Sequence, residues 1–107
     1  TNLNIETLLV GMEIVLHFKS ENYSKGKDIL LSDDIVGRAS LTFKEGSIIG
    51  KDGYFCYFSG TDEQCKRALE LVKDLAEEVN DKVKSQLIAK IKEEADKALE
   101  GFGNILG

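Results

Sequence analysis

Between Thr61 and Glu100 the chain holds neither glycine nor proline, and Ala, Leu, Lys and Glu dominate. Such composition favours helix at every position, because these side chains lose little rotamer freedom on a helix and nothing interrupts the hydrogen-bond ladder. The start is marked as well. Thr61 precedes Asp62, Glu63 and Gln64, the spacing at which a threonine hydroxyl accepts from the N3 amide while the N3 glutamine reaches back. Asp62 and Glu63 also suit the positive end of the helix dipole.

The apolar stripe of this segment changes direction. At about 100° per residue, Cys65, Leu69, Val72, Ala76 and Val79 fall in one narrow sector, whereas Leu87, Ile91, Ala95, Ala98 and Phe102 centre roughly a quarter turn away. Either two helices meet near Asn80, where Asn tolerates left-handed backbone and Asp81 serves as a fair N-cap, or one long helix shows different faces to two partners. A single rod over the whole span extends about 60 Å, longer than one small sheet covers, so the unbroken version predicts a dimer. The end, Gly101 to Gly107, mixes glycine with Phe102, Ile105 and Leu106, the composition of a fraying terminus with a few docking side chains.

The first half reads as strands. Met12, Ile14, Leu16 and Phe18 alternate with Glu13, Val15, His17 and Lys19, the two-residue period of a strand with one buried face. In residues 1–11 a short helix competes with an extended strand, since Ile5, Leu8, Leu9 and Met12 have helical spacing with Asn4 placed to cap and Gly11 to stop. Ser20 to Lys27 is polar and predicts a surface loop. From Ile35 to Phe43, Gly37, Ala39, Leu41 and Phe43 share one face of a second strand. Glu45 and Gly46 make a turn, Ser47 to Ile49 is a short apolar run, and Lys51, Asp52 and Gly53 make another turn. Successive hairpins predict an antiparallel meander. The last strand, Tyr54 to Ser59, points Tyr54, Cys56 and Phe58 one way and Phe55 and Tyr57 the other, so both faces require cover. The expected fold is one α+β domain spanning 1–107, with a sheet of about four antiparallel strands over 12–59 and a helical region over 61–101.

Composition excludes several function classes. Nineteen acidic side chains against 14 basic ones leave a formal charge of −5, which opposes binding to nucleic acid or to anionic membranes. No stretch approaches the roughly 20 apolar residues of a membrane span, and no basic-then-apolar leader is visible. Two cysteines without Cys-x-x-Cys spacing fit a reducing compartment, so the expected location is the cytoplasm.

Candidate chemistry is sparse. Gly46 to Lys51 matches a phosphate-binding loop only in part: it is one residue short, is followed by Asp52 and precedes a strand, whereas such a loop must open a helix. It reads as a hairpin turn. His17, the sole histidine, lies on the polar face of its strand, available to ligate a metal or titrate near neutrality, but no nucleophile or orienting acid can be placed beside it. Asp28, Asp33 and Asp34 cluster around Ile29 to Leu31 without the alternating ligands and distal Glu of a calcium loop, so a solvated acidic turn accounts for them. Asp33, Asp34 and His17 are the only metal candidates, and no cofactor is implied. Cys65 follows the helix start, which favours a thiolate, yet shares a stripe with Leu69 and Val72 and lies near Asp62 and Glu63, so it reads as an inert core thiol.

The apolar inventory carries the functional expectation. A two-faced aromatic strand and a stripe that changes direction provide more apolar surface than one sheet and one helix bury. The expectation is a non-catalytic interaction or oligomerisation protein, a homodimer or the binder of another protein, with Phe55, Tyr57, Leu87, Ile91 and Phe102 at the contact. The alternative is a small-ligand or ion-sensing module using a cleft between sheet and helices.

Overall fold

A computed structural model describes residues 12–106, with side chains through Lys97; the competing patterns of residues 1–11 lie outside it. In chain order the elements are β1 (Met12–Phe18), α1 (Ser20–Ser32), a 3-10 turn (Val36–Arg38), β2 (Ser40–Glu45), a second 3-10 turn (Gly46–Ile49), β3 (Tyr54–Gly60), α2 (Asp62–Leu71), β4 (Ala76–Glu78) and α3 (Asp81–Leu106). The strands form one antiparallel sheet in the order β2-β3-β1-β4. The α+β class, the four-stranded antiparallel sheet and the C-terminal helical region agree with the sequence reading; the connections differ. Only β2 and β3 are joined without a helix, while α1 and α2 carry the chain across the sheet. This is the ferredoxin-like, split βαβ arrangement.

Each strand face has its own cover. Ile14, Leu16, Phe18, Cys56 and Phe58 are buried with Leu30 of α1, Val36, and Cys65, Ala68 and Val72 of the α2 region. On the other face Val15 and Phe55 are buried with Leu87 of α3, flanked by Ile48, Ile49, Tyr57, Val79, Val83, Ile88 and Ile91. The alternation read in β3 is therefore the partition between two cores; β1, expected to bury one face only, also buries Val15 on the other because α3 covers it, and the molecule has three layers: α1 and α2, sheet, α3.

Three segments depart from the sequence reading, each for a physical reason. Ser20–Ser32 is helix, not loop. Its inward stripe is Tyr23, Gly26, Lys27 and Leu30, at i, i+3, i+4 and i+7, with Gly26 and Leu30 buried and Tyr23 and Lys27 half-buried, so a glycine and a lysine stand where apolar residues are normally counted. A Cβ at Gly26 would run into the Phe18 ring, and the Lys27 ammonium lies 5.7 Å from the Tyr23 ring centre and 5.2 Å from that of Phe43, so its stem covers aromatic surface. Second, the strand expected from Ile35 starts only at Ser40, and Ser47–Ile49 is a 3-10 turn. The Asp33 carboxylate accepts from the amides of Ile35 and Val36, both at 2.9 Å, which winds that stretch into a turn. Third, the glycine-free segment is two helices separated by a strand. The Thr61–Gln64 capping box is formed, at 3.1 and 2.9 Å, but α2 ends at Leu71 and Ala76–Glu78 pairs with β1. Asn80 sits at the start of α3, its side chain accepting from the Val83 amide at 2.9 Å. The break therefore opens at Val72, with Asn80 closing it.

Two stability outcomes follow. Gly26→Val is expected to cost about 1–3 kcal/mol, the usual penalty of overpacking, measured by chemical denaturation; a variant as stable as the parent would mean that α1 does not press on Phe18. Asn80→Ala should cost about 1 kcal/mol through loss of the α3 cap, read in the same assay.

Candidate protein-interaction site

The helix that covers the second sheet face is longer than the face. Three interstrand spacings make the sheet about 14 Å wide, whereas the 26 residues of α3 extend about 39 Å. Its path is marked by its contacts. Val79, just before α3, donates to the Val15 carbonyl at 3.0 Å, Leu87 is buried over Val15 and Phe55, and Glu94 meets Lys44 of the edge strand β2 at 3.7 Å. By Glu94 the helix has crossed from the β4 side to the β2 side. Twelve further helical residues, Ala95 to Leu106, amount to about 18 Å of rod. Lys92 to Lys97 are all exposed.

The residues expected at a contact are thereby divided. Phe55 and Leu87 are buried at 1% and 0% exposure by the chain's own layers, so the surplus apolar surface inferred from them is covered internally. Tyr57 and Ile91 are half-buried against the same cluster. The Phe102 side chain lies outside the described residues. Tyr57 also donates from its hydroxyl to Glu13 at 2.6 Å; burial, and then this carboxylate, push its pKa up to about 12. Sequence reading missed Lys44, Glu94 and the open side of β2. One signal was available: Ile88, Ile91, Ala95, Ala98, Phe102 and Ile105 recur at alternating spacings of three and four residues, the period of a helix seam that packs on another helix.

β2 forms the sheet edge and, among the described residues, pairs only with β3. An edge strand presents unpaired amides and carbonyls to any chain able to add another strand. Leu41 and Phe43 pack on the α1 and α2 core, while Thr42 and Lys44, opposite Tyr57 and Phe55, lie on the α3 face. The edge and the end of the α3 crossing are thus on the same side of the molecule.

The metal candidates are scattered. Asp33 holds Arg67 through three hydrogen bonds at 2.7–3.0 Å in addition to its two amides, so both carboxylate oxygens are engaged in tying the end of α1 to α2. The Arg67 guanidinium, followed by the Val36 amide, holds this carboxyl far below the usual carboxylate range. Asp34 is exposed. Among the described residues no group of three or more His, Cys, Asp or Glu is arranged to hold a metal ion.

His17 lies elsewhere. Its Nε2 contacts the Asp52 carbonyl at 2.9 Å, and since a carbonyl only accepts, Nε2 carries the proton and Nδ1 is the acceptor in the neutral ring. The ring lies 4.8 Å from that of Phe55 and borders two clefts. One, of about 310 Å³, is lined by Lys19, Asn22, Lys73 and Glu77 among others; the other, of about 400 Å³, is lined by Lys51, Phe55, Glu77 and Val83 among others. Burial pushes the Cys65 thiol pKa up, with Asp62 adding to the effect, and burial pushes that of Cys56 up to about 12. Both thiols are buried, the setting of a structural cysteine.

The fold defines a ferredoxin-like α+β domain with an added C-terminal helix, and a fold of this kind does not by itself fix an activity. Compared with protein-family models, curated proteins and solved structures, the chain matches none of them. No described helix is long and apolar enough to cross a membrane.

The Asp33 network sets a pH dependence. Near neutrality the carboxylate is ionised in both states. Below its unfolded pKa of about 4, the unfolded chain binds a proton that the folded chain still excludes, so stability drains away as the pH falls toward the depressed folded value. Asp33→Asn should lower Tm at neutral pH and flatten the decline between about pH 5 and 3. Parallel Tm-versus-pH curves for variant and parent would remove Asp33 from the acid response.

Proposed function

We propose that this chain is a non-catalytic protein-association module, whose partner is engaged on the side where α3 crosses β2. The observation that carries the reading is the mismatch between α3 and the sheet beneath it: the helix crosses the edge strand at Glu94 with twelve residues remaining. Isolated helices of that length are marginal in water, so a helix continued past its own sheet gains most by packing on something else. The seam spacing that faces the sheet through Ile88 and Ile91 continues in the sequence beyond it. The formal charge of −5 favours a protein over an anionic membrane as that partner. Burial of both thiols and the absence, among the described residues, of a carboxylate hydrogen-bonded to His17 support a non-catalytic role.

Sedimentation equilibrium of the full chain from low to high micromolar concentration is the test. The expected result is a mass near twice 11.8 kDa; a monomer throughout that range would overturn self-association.

A small-ligand module is the second reading, supported by the two clefts that share His17 and Glu77 and reach the lower end of ligand-site volumes. Polar metabolites and divalent ions would then raise Tm, and Glu77→Gln would reduce the shift. A panel that leaves Tm unmoved counts against this reading.

A further inference from the structure

We propose that the outer edge of β2 pairs antiparallel with the same edge of a second copy, about a two-fold axis at Thr42, joining two sheets into one of eight strands. This rests on the association reading above and specifies its partner and geometry. Three observations converge on it. β2 is the sheet edge and, among the described residues, pairs on one side only. It is the longer of the two edge strands, six residues against three in β4. And α3 meets this edge at Lys44, so its remaining length, about 18 Å, spans the half of a continuous sheet that a second copy would supply.

The register follows from face matching. In an antiparallel pair, directly opposed residues share a face, so Leu41 and Phe43, which pack on the α1 and α2 core, must meet Leu41 or Phe43 of the other copy. With the axis at Thr42, Leu41 of each copy faces Phe43 of the other, Thr42 faces Thr42, and Ser40 faces Lys44. Apolar side chains meet on one face, no like charges are opposed, and five residues of each strand pair. Moving the axis to Phe43 sets Leu41 against Glu45, an apolar side chain against a charge. Moving it to Leu41 leaves only three residues of β2 paired. Two-fold symmetry then runs the two α3 helices in opposite directions over the joined sheet, each extending toward the other copy.

The test is a pair of single-cysteine additions in the full chain, with the parent as control, since Cys56 and Cys65 are both buried. Under mild oxidation Thr42→Cys should convert to a disulfide-linked dimer, because residues on the axis oppose one another with Cβ atoms about 4.5–5.5 Å apart. Lys44→Cys should not, because its copies lie four residues out of register, about 14 Å along the strands. Thr42→Arg, which sets two cations against each other on the axis, should weaken the dimer several-fold in sedimentation while its circular dichroism stays that of the parent. A dimer in which Thr42→Cys fails to cross-link and Thr42→Arg leaves the mass unchanged overturns this geometry while the association reading stands. A monomer overturns both.

Discussion

A strand that is apolar on both faces cannot sit at the surface of a two-layer domain, and β3 is such a strand. Cys56 and Phe58 are buried on one side and Phe55 on the other. Exposing either set forfeits roughly 1.5–3 kcal/mol for each large side chain. The rest of the architecture satisfies this demand. Paired to β1 on one edge and β2 on the other, β3 is internal to the sheet, with α1 and α2 filling one side and α3 the other. The third layer is therefore a requirement of β3, not an appendage, and it brings with it a helix whose length is not set by the sheet.

Polar contacts place these layers. Asp33 joins the end of α1 to α2 through Arg67 and at the same time winds the turn that leads into β2. Gly26 lets α1 approach Phe18 closely, while Tyr23 stacks on Tyr54 at 3.9 Å, carrying the contact from α1 across to β3. His17 is held by the Lys51–Gly53 turn, in which Gly53 takes φ of +78°. At that position a side chain would be strained by the backbone and would collide with the Phe18 carbonyl. The most polar constellations are thus occupied in holding secondary elements together. Open on the described surface are the outer edge of β2, the exposed residues of α3 and the two clefts beside His17.

Much of the local structure was legible from residues alone. The alternation in β1 and β3, the Thr61–Gln64 box, the Asp52–Gly53 turn and the passage of the apolar stripe from one core at Cys65 and Val72 to the other at Leu87 all depend on neighbours within a few positions, and all are present. Where reading failed, the deciding contact was distant in sequence. α1 was hidden because its inward stripe uses Gly26 and Lys27, whose role is visible only once Phe18 and Phe43 lie against them. β4 was hidden because Ala76–Glu78 has no strand signature, and its three residues become extended through pairing with Leu16 to Phe18, which overrides the helix propensity of Ala and Glu.

The candidate interaction site divides in the same way. Sequence alone determined that both faces of β3 must be covered, that the C-terminal region is helical and that its apolar stripe changes direction near Asn80, because periodicity and capping are short-range properties. Only the tertiary structure decided that Phe55 and Leu87 are hidden within one chain, that β2 lies at a sheet edge, and that α3 reaches this edge at Glu94. Strand order and helix path are set by which surfaces fit together across the whole molecule, and no local pattern of side chains encodes that fit.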